Sequence, residues 1–237
     1  MSSRIISSPF FLLISFVCII LILLGNWQLE RLRWKTALIE RVQTRVDAKP
    51  IPAPIIFNTS EISKEDHEYL RVQIKGYFLH EHETLVHATT EIGAGYWVMT
   101  PLVSNTNTVM INRGFVTEEL KDVSRRQQGL VFGEQIIIGL LRLTEPEGQL
   151  FRKNVASEGR WYSRDIEAIA DSVSLKEVVP YFIDAEKTEF SPEIPIPGMT
   201  RIHFRNSHLI YALTWYGLAI FLFYLSISAL TRKAEDN

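Results

Sequence analysis

A single cysteine, Cys18, stands in 237 residues, so an internal disulfide and a thiolate metal cluster are both excluded. An excess of one charge sign is missing too. The 25 Lys and Arg against 27 Asp and Glu leave a formal net charge of -2 with the signs interspersed, which gives no basic field for nucleic acid. There is no Gly-rich phosphate loop, no nucleophile elbow and no His-Glu-x-x-His run, so enzymatic chemistry has no visible home and a non-enzyme is expected. The most informative deficit is local: no charged residue lies between Arg4 and Glu30, and none between His208 and Arg232.

Residues 10–24 are apolar apart from Ser15. A hydrocarbon core of about 30 Å needs about 20 helical residues at about 1.5 Å rise each, and both uncharged runs meet that length. A basic start at Met1 to Arg4 allows a cleaved signal peptide, but the run is long for one and no Ala-x-Ala-like site follows it. The second run is apolar on every face, which argues for lipid around it rather than a soluble core. The expected order is an N-terminal segment 1–9, a transmembrane helix 10–29, a juxtamembrane helix 30–49, a domain 50–207, a second transmembrane helix 208–230 and a tail 231–237. Both termini then share one membrane face and the domain lies on the other. Bases near the spans are more numerous on the domain side (Arg31, Arg33, Lys35, Arg41, Arg201, Arg205) than on the terminal side (Arg4, Arg232, Lys233). Long loops translocate largely regardless of charge, so this count leaves the orientation open.

Helical spacing continues past the first span through Leu32, Leu38, Ile39 and Val42, and must stop by Lys49, because Pro50, Pro52 and Pro54 remove backbone donors. Beyond them the apolar period is mostly two. Strands are expected at 69–78, 84–88, 97–102, 108–111, 134–143, 181–184 and 199–204, with turns at 91–95 and 104–107 and a helix at 164–171. The fold class is a membrane protein with two transmembrane helices flanking an α+β, mainly antiparallel β soluble domain.

Two clusters sit where the spans meet the domain. Trp27, Arg31 and Trp34 are spaced four and three apart, one helix face on which a guanidinium between two indoles gains cation–π energy; the plainer reading is an aromatic belt with snorkelling bases. His208, Tyr211 and Trp215 lie at i, i+3 and i+7, beside Arg205. Brought to one depth, the two clusters form an aromatic pocket with one imidazole and several arginines. Such a pocket suits haem, with His208 on iron and Arg31, Arg201 or Arg205 on propionates; the plainer reading is a hydrogen-bonded interfacial histidine. His80, His82 and His87 raise a metal site, with His80 and His82 on one strand face, but no third ligand is placed by spacing. Asn112-Arg113-Gly114 reads as a hairpin turn with Gly114 at positive φ, and Arg164-Asp165 as a helix start with a local ion pair.

Several segments in order resemble one family, the surfeit-locus cytochrome c oxidase assembly proteins. They are Leu24-Gly25-Asn26-Trp27-Gln28 with Arg31, Trp34 and Lys35; Arg71-Val72 with Gly76-Tyr77-Phe78; Gly95-Tyr96-Trp97-Val98-Met99-Thr100-Pro101; Ile111-Asn112-Arg113-Gly114-Phe115-Val116; Arg142-Leu143-Thr144-Glu145; Trp161-Tyr162-Ser163-Arg164-Asp165; and residues 205–219 from Arg205-Asn206-Ser207-His208 onward. Thr117 stands where the family commonly has Pro, and residues 153–160 replace an Asn- and Pro-rich loop. The resemblance implies a non-enzymatic role in maturing a haem-copper oxidase: a chaperone that binds haem a transiently through His208 and aids its insertion into subunit I, docking on subunit I and the haem a synthase. The alternative it implies is a scaffold that stabilises a subunit I intermediate without haem. It also implies cytoplasmic termini and a periplasmic domain. With few residues before the first span there is no room for a transit peptide, so a bacterial inner membrane is expected, with the mitochondrial inner membrane as the alternative.

Overall fold

The computed structural model describes residues 9–146, 148, 152–189, 191–200, 202 and 204–235. Arg4, Arg201 and the outermost terminal residues lie outside them. Helix α1 (Pro9–Val46), as far as Val42, and helix α3 (His208–Glu235) form one compact unit, and residues 43–201, with the last turn of α1, form the other. Both helices are long and apolar enough to cross a membrane. The chain is a membrane protein with two transmembrane helices flanking a β-rich domain.

The helix pair is built on a 3.5-residue repeat. Leu21, Gly25, Gln28, Leu32 and Lys35 are the covered strip of α1, and His208, Ala212, Trp215, Ala219, Leu222 and Ser226 that of α3. This is the spacing of a left-handed antiparallel pair. The partners run in opposite order. Cys18 Sγ donates to the Ala219 carbonyl at 3.7 Å, Tyr216 Oη to Asn26 Oδ1 at 2.6 Å, and Asn206 Nδ2 to Thr36 Oγ1 at 3.4 Å. Small residues set the approach. A Cβ added at Gly25 would lie 2.5 Å from the Tyr216 ring, so only glycine admits that ring there.

In the second unit, β1 (Ile51–Pro52), β2 (Arg71–Phe78), β3 (Thr84–Thr90), β4 (Gly93–Val103), β5 (Thr108–Thr117), β6 (Gln135–Leu143) and β7 (Val178–Ala185) make one sheet in the order β1-β2-β6-β7-β5-β4-β3. An added pairing of β2 with β4, through Tyr77–Val103 and Phe78–Leu102, closes β2-β6-β7-β5-β4 into a barrel. Alternation sends Val72, Ile74, Leu102, Val109, Ile111, Leu141, Tyr181 and Ile183 to the interior. Each such large apolar side chain contributes about 1.5–3 kcal/mol on burial. Tyr181 donates to the Pro54 carbonyl at 2.6 Å, and burial pushes its phenol pKa up. Helix α2 (Ile166–Ser172), capped by Asp165 on the Ala168 N–H, packs Ile166 and Ile169 against Met99, Met110, Trp161 and Phe182 on the outer face.

Four expectations change. Asn112-Arg113-Gly114 lies inside β5 at a bulge rather than in a hairpin turn; Gly114 has φ +130°, as its sequence context suggested, because the bulge carries one residue more than β4 opposite and the Ile196 carbonyl crosses 2.2 Å from where a Cβ would stand. His80–His82 is a 3₁₀ turn, so those two rings do not share a strand face. The expected strand at 199–204 has no ladder at its described positions, because Gly198 at φ +73° breaks the extended run and the Thr200 hydroxyl turns to Asp184. Finally, Arg164 reaches Glu145 and Asp184 through space.

Candidate functional site

His208 is the first residue of α3 and sits on its covered strip, where the ring Nδ1 lies 2.7 Å from Gln28 Oε1 on α1. Gln28 belongs to the same turn of α1 as Trp27 and is three residues before Arg31, so these side chains occupy adjacent strips of one helix. The Arg31 guanidinium lies between two indoles, 5.8 Å from the Trp27 ring centre and 5.6 Å from that of Trp34. Each contact is worth about 0.5–1 kcal/mol at an exposed site, enough to fix the stack but not to hide it. Trp27 and Trp34 are 49% and 57% exposed within the chain.

On α3, Trp215 is half-buried in the strip that holds His208, whereas Tyr211 faces outward with 52% of its surface free and Arg205 is exposed. Of the sequence-derived residues, His208 and Trp215 line the helix seam, Trp27 and Arg31 form the flanking stack, and Tyr211 and Arg205 present to the outside. Lys35 Nζ stands 4.8 Å over the Phe204 ring, and Asn206 Oδ1 is buried without a hydrogen-bond partner beside the head of α3. Sequence reasoning named Gln28 only as part of a motif and missed its contact with His208. The available signal was the alternating four and three spacing of Leu21, Gly25, Gln28, Leu32 and Lys35, which puts Gln28 in the seam.

The donor set fits a haem. A neutral imidazole is an axial ligand, guanidinium groups match propionates, and indole and phenol faces left uncovered by the chain can meet a macrocycle. His80 and His87 make other contacts. His80 Nε2 lies 2.8 Å from the Val131 carbonyl, and its ring packs between Phe78 and Phe132. His87 stacks on Tyr162 at 4.8 Å. Among the described residues, no three His, Cys, Asp or Glu side chains converge to hold a bare metal ion.

Several buried polar side chains of the barrel are paired with one another, although Thr100 Oγ1, Thr117 Oγ1 and Arg113 Nη1 are buried without a hydrogen-bond partner. Asp184 accepts from Asn112 at 2.7 Å, Arg142 at 3.0 Å, Arg164 at 3.2 Å and Thr200 at 2.9 Å, and Arg142 also donates to Glu68 at 2.8 Å. Burial works against the Arg142 charge, but Asp184 and Glu68 outweigh it and hold its pKa above the usual range. A second group joins Arg113 and Arg126 to the single carboxylate of Glu83. There desolvation prevails over Glu83 and lowers the Arg113 pKa to about 10.

Residues 15–220 match the model of the SURF1 family. Surfeit locus protein 1 of Rattus norvegicus is 34% identical over 227 residues, covering 89% of this chain and 72% of the relative. The Homo sapiens protein of that name is 34% identical over 222 residues, 85% of this chain and 71% of the relative. That of Takifugu rubripes is 32% identical over 232 residues, 90% and 93% of the two chains. With a family match that runs from the first membrane helix into the last, this chain belongs to the SURF1 family.

Proposed function

We propose that this SURF1-family protein, whose role lies in the assembly of cytochrome c oxidase, performs it by holding haem a transiently and aiding its insertion into subunit I. The observation that carries the reading is the placement of His208 against the α1 turn that bears Trp27, with the Arg31 stack on the next strip. When bound, haem would supply two carboxylates and an iron that takes a nitrogen ligand. The chain's own residues do the rest. His208 would offer the ligand, Trp27, Trp215 and Tyr211 would cover the macrocycle, and Arg31 and Arg205 would pair with propionates. A half-exposed site of this kind suits a ligand that must be handed on, to subunit I from a haem a synthase, rather than one sealed in. No catalytic group is needed for that transfer.

The reading puts the termini in the cytoplasm and the barrel in the periplasm of a bacterial inner membrane, against the raw count of bases beside the spans, which is a weak guide for a loop of this length. A scaffold acting on a subunit I intermediate without haem is the competing reading, and spectroscopy separates the two. Purified after co-expression with haem a synthesis, the chain should carry a haem whose Soret band shifts or disappears in His208→Ala. Equal, negligible haem in both proteins would leave only the scaffold.

A further inference from the structure

We infer that Gln28 is the positioning residue of His208, selecting the ring tautomer that leaves Nε2 free to ligate; this rests on the haem reading of the same site. An amide carbonyl carries no proton, so the imidazole nitrogen 2.7 Å from Gln28 Oε1 is the donor. In the neutral ring that puts the hydrogen on Nδ1 and the lone pair on Nε2.

The position makes the choice necessary. His208 opens α3, and the first N–H groups of a helix have no partners within it. An imidazole there with a bare Nδ1 is free to accept a hydrogen bond from a donor near the head of α3. The hydrogen would then sit on Nε2, and the ring would be lost as a ligand. Gln28 removes Nδ1 from that competition, and because it projects from the seam of the other helix it also limits rotation of the ring. Its neutrality matters as well. A carboxylate in the same place would draw the proton further and make Nε2 a stronger donor, whereas an amide orients the ring without making the iron bond hard to break. That is the balance a carrier requires.

The test uses the full chain in detergent micelles, titrated with ferric haem a, reading the dissociation constant, the Soret and EPR signatures and the midpoint potential. Gln28→Leu should weaken binding about 10- to 100-fold and lose the low-spin histidine signature. Gln28→Glu should keep or tighten binding and lower the potential. Tyr216→Phe, which removes the 2.6 Å hydrogen bond to Asn26 between the same two helices, should match wild type in all readouts and so controls for helix pairing. If His208→Ala binds haem as wild type does, the haem reading falls and the Gln28 role with it. If His208→Ala loses the haem while Gln28→Leu keeps wild-type affinity and spectrum, the Gln28 role alone is overturned. If Tyr216→Phe loses as much as Gln28→Leu, the effect is helix pairing and positioning is overturned. Should Gln28→Leu fail to accumulate, the potential of Gln28→Glu decides, and an unchanged value overturns the inference.

Discussion

In the barrel, Asp184 is 3% exposed and takes hydrogen bonds from four side chains drawn from β5, β6, the head of α2 and the segment after β7; in the helix pair, Trp27, Trp34 and Tyr211 are about half exposed and Arg31 rests on indole faces alone in its described contacts. Asp184, Arg142 and Arg164 in the barrel close a fold, whereas Arg31 in the helix pair stays exposed. A group whose hydrogen-bonding capacity is used up by its own chain is poorly placed to recognise anything else. The proposed haem site accordingly lies on the helices, even though the barrel has far more polar contacts. It also says where substitutions should cost stability and where they should cost function.

The largest stability effect is expected from Asp184→Ala. Removing that carboxylate leaves Arg142 and Arg164 with a buried face uncompensated, at a cost of about 3–5 kcal/mol, and chemical unfolding of the solubilised chain should show it. Loss of less than about 1 kcal/mol would mean that water reaches the network and that the contrast between the units is overstated. Next comes Gly25→Val. The added carbons enter the Tyr216 ring, so the helices must part, at about 1–3 kcal/mol. Haem affinity should fall with it, because Gln28 and His208 sit one turn away; unchanged affinity would separate the seam from the site.

Trp27→Ala and Trp215→Ala sharpen the comparison from the other side. The Trp27–Arg31 contact is worth less than about 1 kcal/mol, so Trp27→Ala should accumulate normally in the membrane, whereas Trp215→Ala also removes seam packing and is compared at equal abundance. Mature oxidase activity in the host should nonetheless fall several-fold. Equal activity at equal abundance would return these indoles to the role of a membrane belt.

Much of this was legible in advance, for a definite reason. The spans announce themselves by the absence of charge over 5–29 and 209–231, and β2 by the alternation of Val72, Ile74 and Gly76, because each signal lies within one element. Barrel closure was not legible. It depends on Tyr77 and Phe78 meeting Val103 and Leu102, a register that no local period encodes. The same holds for Asp184, whose partners at 112, 142, 164 and 200 come from separate elements, and for Gln28, whose meaning appears only with His208, 180 residues away. Where sequence reading erred, it treated a polar run as a turn. Asn112-Arg113-Gly114 is polar because each residue is needed in the interior, Asn112 on Asp184 and on the Gly114 N–H, Arg113 against the Phe78 ring, and Gly114 under Ile196.

The smallest effect expected is a pH dependence in the barrel. His87 is stacked on Tyr162 at 4.8 Å and meets the tilted Tyr96 ring at 4.7 Å, with Arg152 over the first ring and Lys121 over the second. Burial, then the Lys121 charge, lowers its pKa; Glu118 opposes, and Arg152 and Arg160 add to the lowering. The folded chain therefore binds this proton less readily than the unfolded one. Its contribution to stability is complete above the ordinary histidine range, near about pH 6.5, and is lost as pH falls from there through the depressed folded value. Unfolding midpoints at about pH 7.5 and about pH 5.5 should differ in the wild type, and His87→Phe, which keeps the stack without the titration, should narrow that difference.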